Sequence, residues 1–268
     1  MSGYCSGLAT DLHRSRALGQ VEWEFRYRVS LPARGAASVF HGGVHHLTFN
    51  RPFFTQLDAW ARNLDERLRG SGVPGVAWWG EVGSMACHRP TAAHNRARGF
   101  DLCAVGLTDG SRIDANTAHG GDGRTQRRYL GLTASLRRYF STVLTVHYNA
   151  AHRDHLHIDD LHELAPIRSD LRSDTSLVQS AANLLADEGL AVDGIWGSRT
   201  QEAYDRLLDG FGLTCLDPRR EVADALVLLD LIARTALADL PFGTFRSDAC
   251  DSLCNVVGLD LPIVCDLL

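Results

Sequence analysis

The chain contains no lysine, and all 27 of its basic residues are arginine. We attribute this absence to codon usage in a GC-rich genome and not to chemistry. Histidine is missing from a whole region, because all twelve histidines lie at or before His162. Residues 1–168 carry 20 arginines against 15 acidic residues, whereas residues 169–268 carry 7 against 17. Both changes fall near Pro166, so we predict two domains, residues 1–168 and residues 169–268.

Long apolar runs are also absent. Residues 1–20 contain no apolar run of seven residues, so we expect no signal peptide there. The most apolar predicted helix, residues 222–240, still contains four charged side chains, namely Asp224, Asp230, Arg234 and Asp239. We therefore expect no transmembrane segment.

The seven cysteines include no C-x2-C pair, which disfavours a zinc site built from thiolates. Seven is nevertheless a high number for a protein of a reducing cytoplasm. Four cysteines follow residue 168 and allow two disulfides in three connectivities, and these are Cys215, Cys250, Cys254 and Cys265. We expect disulfides in the second domain.

The hydrophobic pattern of the first domain mixes strands and helices. Residues 21–29 alternate as an amphipathic strand, residues 53–68 follow helical spacing, and residues 76–82 form an apolar run typical of a buried strand. Residues 102–113 contain an Asp-Gly turn that predicts a hairpin, and residues 126–144 predict one helix. This pattern indicates an α+β domain.

Residues 147–159, HYNAAHRDHLHID, contain four of the twelve histidines. In an extended strand, residues two apart share a face, so His155 and His157 would point the same way. Two imidazoles on one face suit a divalent transition metal. The alternative is that these histidines are solvated or hydrogen-bonded.

A second segment, AAHNRARGFDL, contains His94 and Asp101 separated by six residues. Together with His157 they give three metal ligands. Three protein ligands leave one coordination position open, which is the pattern of a catalytic zinc. The alternative is a loop histidine and a strand-edge carboxylate.

The pair H-x6-D and D-H-x-H resembles the zinc peptidases of the LAS group, which includes D-Ala-D-Ala carboxypeptidases and murein endopeptidases. Within that group, VLTVHYNAAHRDHLHID and GSMACHRPTAAHNRARGFDLCAVGLTDGSRI are similar to the extensin-like C-terminal domain family, over roughly residues 50–162. The resemblance implies an α+β fold with a small antiparallel sheet and flanking helices. It also implies a zinc-dependent enzyme that cleaves an amide bond in peptidoglycan stem peptides and acts outside the cytoplasm. The sequence departs from the LAS pattern at Ala92, Ala97 and Gly99, where that pattern has Ser, Gly and Ala.

The resemblance offers two spacings for the general base. The carboxypeptidases have Glu three residues before the last ligand, a position that Asp154 occupies here. The endopeptidases have H-x2-H-x-H, which here is His152, His155 and His157. Strand alternation directs Asp154 away from the metal, so we favour His152 or His155. Arg89 is a candidate for binding a substrate carboxylate.

The second domain contains LAVDGIWGSRTQEAYDRLL, which resembles the bacterial peptidoglycan-binding domain, a small three-helix module, over residues 176–208. The resemblance implies an all-α domain that binds peptidoglycan. Trp196 is the candidate for carbohydrate contact, with core packing as the alternative, whereas Asp193 and Gly194 shape a loop in either case.

Two other functions are compatible with parts of the sequence. One is a non-catalytic wall-binding protein with a structural or degenerate metal site, which Ala92 and Ala97 favour slightly. The other is a metal-dependent nuclease, suggested by the basic, histidine-rich first half. The chain lacks an aromatic-basic surface pattern and contains the wall-binding segment, so we expect no nucleic-acid partner.

Overall fold

The computed structural model describes residues 12–14, 24–29, 33–41, 47–84 and 93–247. Within these ranges the protein has eight strands and six α-helices. The strands are β1 (Leu12–Arg14), β2 (Phe25–Tyr27), β3 (Thr48–Asn50), β4 (Val76–Gly83), β5 (Gly99–Leu107), β6 (Arg112–Asp114), β7 (Thr142–Leu144) and β8 (Leu156–Asp159). The helices are α1 (Arg51–Gly70), α2 (Ala115–Ala118), α3 (Gly123–Arg137), α4 (Arg172–Ala186), α5 (Ser198–Gly210) and α6 (Val222–Leu237).

The main sheet is small and open, with strand order β2-β4-β5-β8-β7 and with β6 also paired to β5. The predicted hairpin is present as the antiparallel pair β5 and β6. The prediction of an antiparallel sheet is wrong at one edge, because β2 pairs with β4 in parallel. The connection between these strands contains all of α1, and parallel neighbours require such a long crossover. The alternation of residues in β2 carries no information about strand direction.

Helix α1 covers one face of the sheet. Its buried residues include every member of the predicted apolar stripe, namely Phe53, Phe54, Leu57, Trp60, Ala61, Leu64 and Leu68. Pro52 lies in the first turn, where its missing N–H costs no helical hydrogen bond. The core of the first half forms between this stripe and the inward residues of the sheet, among them Trp79, Phe100 and Ile158.

The predicted helix over residues 126–144 is too long at its C-terminal end. Helix α3 ends at Arg137, and Thr142–Leu144 is strand β7, which pairs with β8. The first two residues of β7, Thr142 and Val143, are both β-branched, and β-branched residues favour strands. Pairing with β8 therefore outweighs the helical spacing of the apolar residues before it.

Helix α3 contributes to two hydrophobic cores. Leu132 and Leu136 pack in the core under the sheet, whereas Leu130 and Ala134 pack with helices α4 to α6. Gly131 permits close packing of α3 on α6, because a Cβ at this position would lie 2.9 Å from the backbone nitrogen of Leu237. Helix α3 lies before the predicted boundary near residue 168 but packs in the cores on both sides of it.

Buried ion pairs also join the two halves. Arg67 and Arg138 contact the fully buried Asp230 of α6 at 2.6 and 3.0 Å. Arg137 contacts Asp174 of α4 at 2.9 Å, and both side chains are buried. In each pair the arginine precedes residue 168 and the aspartate follows it, so part of the opposite charge of the two halves is neutralised between them.

Two cysteines lie among the described residues. Cys215 is disulfide-bonded, and Cys103 on β5 is buried and free. The other five lie outside the described residues. In the described part of the chain, no helix combines the length and the apolar character needed to cross a membrane.

Candidate metal centre

Strand register brings together two of the three predicted metal ligands. Asp101 of β5 and His157 of β8 are directly opposite one another in the antiparallel ladder. The third, His94, lies in a short 3₁₀ helix, Ala93–Arg96, just before β5. Hydrophobic neighbours fix this register, because Phe100, Leu102, Leu156 and Ile158 are buried in the core. A one-residue slip would expose them, so core packing also determines which side chains face each other.

The ligand triangle, which we define as His94 Nε2, Asp101 Oδ1 and His157 Nδ1, is compact. Nε2 of His94 lies 3.2 Å from both Asp101 Oδ1 and His157 Nδ1. Nδ1 of His157 lies 2.9 Å from Asp101 Oδ1. Within the described residues this is the group of His, Cys, Asp or Glu side chains that could hold a metal ion.

Each histidine of the triangle has an acceptor for its other ring nitrogen. His94 Nδ1 donates to the carbonyl oxygen of Ser84 at 3.1 Å, and His157 Nε2 donates to Asp159 Oδ2 at 3.1 Å. Partners of this kind fix the tautomer and the ring orientation of metal-binding histidines. They leave His94 Nε2 and His157 Nδ1 directed at the centre of the triangle.

Charge interactions in the triangle oppose the effect of burial. Burial raises the pKa of the Asp101 carboxyl, but hydrogen bonds from His157 and His94 outweigh burial and hold the pKa below its usual range. Burial lowers the pKa of His157, but hydrogen bonds to Asp101 and Asp159 outweigh it and raise the pKa to about 9. A cation entering the triangle would therefore displace a proton from His157.

Glu81 of β4 is a second buried carboxyl near the triangle. Burial and, to a smaller extent, the charge of Asp101 raise the pKa of Glu81 to about 7. Glu81 is therefore only partly ionised near neutral pH.

His155 lies at the rim of the ligand triangle. Its Nε2 is 3.8 Å from Asp101 Oδ1, and its Nδ1 donates to Asp154 Oδ1 at 3.0 Å. The predicted strand is shorter than expected, because β8 begins only at Leu156. Alternation therefore does not decide where Asp154 and His155 point, although His155 does face the triangle.

Asp154 is buried and interacts with two neighbours. One carboxylate oxygen accepts from His155, and the other is 2.8 Å from Arg28 Nη1. These contacts suit a group that orients His155 better than a group that accepts a proton from substrate or water.

His152 lies further from the triangle. Its ring centroid is 5.3 Å from that of His155 and 6.0 Å from that of His157. Its Nδ1 contacts Asn149 Oδ1 at 2.7 Å. Burial, followed by the nearby charges of His155 and His157, lowers the pKa of His152 to about 4. His152 is therefore neutral at physiological pH.

Two departures from the LAS pattern lie beside His94. Ala97 has φ 53°, a left-handed conformation that favours glycine, the residue of that pattern. At Gly99 a Cβ would lie 3.2 Å from His94 Nδ1. The alanine that the pattern has at position 99 would therefore press against this ligand. The third departure, Ala92, lies outside the described residues, as does Arg89.

Trp196 lies in a loop of the second half, residues 193–196, which we call the Asp193 loop. The indole is half-buried, with Tyr204 at 5.3 Å between ring centroids and the Arg219 guanidinium 4.7 Å above its ring. Its Nε1 donates to Gln201 Oε1 at 3.0 Å. Trp196 thus packs against its own domain, and Ile195 beside it is exposed.

Sequence reasoning did not identify Asp159, Ser84 or Arg28 as parts of this centre. Asp159 could have been found, because it lies two residues after His157 on the same strand face. Ser84 acts through its backbone carbonyl, which carries no residue signature. Arg28 precedes Asp154 by 126 residues, so no local pattern connects them.

A protein-family model described as "Extensin-like protein C-terminus" matches residues 81–168. The match begins in β4 and extends past β8, so it includes the whole ligand triangle together with Asp154 and His155. It confirms the extensin-like resemblance over this part of the chain. Comparisons with curated proteins and with solved structures found no match.

Proposed function

We propose that the protein is a zinc-dependent peptidoglycan hydrolase of the LAS type that cleaves an amide bond in the stem peptides of bacterial cell walls. The observation that supports this most is the convergence of His94, Asp101 and His157 beside His155. The extensin-like match covers all four residues. Outside this segment, the proposal rests on the resemblance of residues 176–208 to wall-binding modules.

The donor set of the triangle fits zinc. Two imidazole nitrogens and one carboxylate oxygen are typical ligands of catalytic zinc sites. With zinc–ligand distances of about 2.0–2.1 Å, tetrahedral geometry would separate the donor atoms by roughly 3.3 Å. The separations of 2.9 to 3.2 Å are close to that value. The contacts of the outer ring nitrogens with Ser84 and Asp159 complete the pattern.

When bound, zinc would polarise the scissile carbonyl and lower the pKa of a bound water molecule to ~7. His155 is the residue that we assign as general base. Asp154 accepts the Nδ1 proton of its ring, so its Nε2 carries the lone pair and is directed at the rim of the triangle. From there Nε2 can accept a proton from the attacking water and later return one to the leaving amine.

The helical half supplies adhesion to the wall in this proposal. Trp196 has its ring covered by Arg219 and Tyr204, so we assign it to shaping the Asp193 loop and not to stacking on a sugar. A wall substrate requires that the protein act in the periplasm or on the cell surface, and we propose that location.

The test is digestion of purified sacculi by the full-length protein, with mass spectrometry of the released muropeptides. We expect release by the zinc-loaded protein, loss of release with a chelator, and recovery on adding zinc back. A zinc-loaded protein that sediments with sacculi but releases nothing would support the non-catalytic wall-binding alternative. Release that is insensitive to chelator would contradict the metal-dependent reaction.

A further inference from the structure

A buried arginine far from the metal ligands in sequence lies behind the proposed base. Arg28 follows β2, at the edge of the sheet. Its Nη1 is 2.8 Å from Asp154 Oδ2 and donates to the backbone oxygen of Asp154 at 3.1 Å. The two side chains expose only 8% and 4% of their surface. One guanidinium nitrogen therefore fixes both the carboxylate and the backbone of Asp154.

The position of Arg28 is itself constrained by the sheet. Its backbone N–H donates to the carbonyl oxygen of Glu81 at 3.0 Å, continuing the parallel pairing of β2 with β4. It also forms an isolated antiparallel bridge with Phe40. Because β4 pairs with β5, which carries Asp101, the arginine and the metal centre share one rigid framework.

A chain of contacts leads from this framework to the rim of the triangle. Arg28 holds one oxygen of Asp154, and the other oxygen accepts the Nδ1 proton of His155 at 3.0 Å. This acceptor selects the tautomer of His155 that leaves Nε2 unprotonated, 3.8 Å from Asp101 Oδ1. Without Arg28, the Asp154 carboxylate could rotate and the ring would lose its fixed acceptor.

We propose that Arg28 is a positioning residue for the hydrolytic reaction, and that it acts through Asp154 on the tautomer and orientation of His155. The inference rests on the proposed function, because it assigns His155 as the base. A buried ion pair is weak grounds for a stabilising role, since apolar replacements of similar volume are often tolerated. The connection to His155 is the feature that a purely structural role leaves unexplained.

The decisive variant is the double replacement Arg28→Met with Asp154→Leu. It removes both charges together, so no buried charge is left without a counter-charge. We expect a folded protein that keeps its zinc, with kcat lowered about 10²–10³-fold and KM little changed, because a general base contributes about 10²–10⁴-fold. Imidazole ¹⁵N chemical shifts should show His155 protonated at Nδ1 in the wild type and a mixture of tautomers in the double variant.

The matched control is a second buried pair outside the centre, Arg137 and Asp174, whose side chains expose 3% and 2% of their surface. Arg137→Met with Asp174→Leu should leave kcat and the His155 tautomer unchanged. Two single variants cover the case in which the double variant fails to fold. Asp154→Asn keeps the volume but lets an amide N–H face His155, and an analogous change in a Ser-His-Asp triad lowers kcat about 10⁴-fold. Arg28→Lys keeps the charge and should retain most of the activity.

The outcomes separate this inference from the proposed function. If the double variant or Asp154→Asn keeps wild-type kcat and the wild-type tautomer of His155, the positioning role is overturned. If the wild-type protein hydrolyses no wall peptide, the proposed function fails, and the tautomer still reports whether Arg28 and Asp154 orient His155. Loss of zinc in Arg28→Lys would also overturn the inference, because it would place Arg28 in metal retention.

Discussion

The ligand triangle and the Asp193 loop both contain short motifs, but their polar groups are arranged in opposite ways. In the loop, the polar groups bond to each other. Gln179 of α4 donates to Asp193 Oδ1 at 2.9 Å and to Thr200 Oγ1 at 3.1 Å, and it accepts from the backbone N–H of Gly194 at 2.9 Å. Such a network rigidifies the segment and leaves few groups available for a ligand.

In the triangle, the outer nitrogens of the histidines have their own acceptors, and the inner atoms converge on one point. His94 Nε2 and His157 Nδ1 face each other at 3.2 Å across Asp101 Oδ1. A cation between them would satisfy all three atoms at once. The difference indicates that a motif should be interpreted by where its lone pairs point, since the loop stabilises its own shape while the triangle is suited to hold an ion.

The largest effect should come from removing a corner of the triangle. We expect His157→Ala to reduce bound zinc from about one equivalent to near zero, with zinc affinity lowered more than about 100-fold, because the loss of an outer partner alone typically costs 10–100-fold. Elemental analysis after dialysis measures this. The control changes His162, an exposed histidine five residues later. The His162→Ala variant should bind zinc as the wild type does. Full zinc content in His157→Ala would show that the ligand triangle does not hold the ion, and its contrast with the Asp193 loop would be wrong.

The next effect separates the rim of the triangle from its corners. His155→Ala should keep zinc and slow muropeptide release by roughly 10²–10⁴-fold, because it removes the proposed base and leaves the three proposed ligands in place. Zinc content and release rate are measured on the same preparation. Should zinc be lost as fully as in His157→Ala, His155 would be a ligand and the assignment of the triangle would be wrong.

A change in the loop should affect stability and leave zinc binding intact. Gln179→Ala removes the side chain that connects Asp193, Gly194 and Thr200, so we expect a loss of about 2–3 kcal/mol in the free energy of unfolding. Urea unfolding followed by circular dichroism measures it. Glu202→Ala, at an exposed position of α5, is the comparison and should cost less than about 1 kcal/mol. A fall in zinc content on changing Gln179 would show that the two segments are coupled.

The smallest effect concerns the turn that carries His94. Ala97→Gly relieves a left-handed conformation, which costs about 1–2 kcal/mol for a residue with a Cβ, and adds backbone entropy worth about 0.5–1 kcal/mol to the unfolded state. We expect no destabilisation and a gain of up to about 1 kcal/mol, measured by thermal unfolding. The matched change Ala59→Gly within α1 should instead destabilise by about 1 kcal/mol. Equal losses at both positions would exclude strain at Ala97.

The sequence predicted that His94, Asp101 and His157 would lie together, because the patterns that indicate this are local. The spacing of His94 and Asp101 and the strand pattern around His157 each fit within a few residues, and core packing then sets the register. The surroundings of the base were not predictable in the same way. His155 precedes the regular strand, so alternation does not apply to it. Its ring contacts Asp154, whose other carboxylate oxygen contacts Arg28, 126 residues earlier in the chain.

The limits of the fold prediction have similar physical causes. The helix predicted from the spacing of residues 53–68 is present as α1, and its apolar stripe packs in a single core. Residues 142–144 also continue a helical pattern, but they pair with β8 as strand β7. Tertiary pairing therefore overrides the helical pattern. The parallel pairing of β2 depends on the path of the chain through α1, which hydrophobic periodicity does not encode.

The shared helix α3 has a consequence for modularity. Cutting the chain after residue 168 would leave Leu130 and Ala134 facing water and would strip Arg67, Arg137 and Arg138 of their buried counter-charges. Moving the helical half to another protein would likewise separate Asp230 from Arg67 and Arg138 and leave it with Arg234, whose Nη1 is 3.9 Å from Asp230 Oδ2. Domain shuffling recombines units that have independent cores. These two halves share a helix and buried ion pairs, so we expect them to be inherited together.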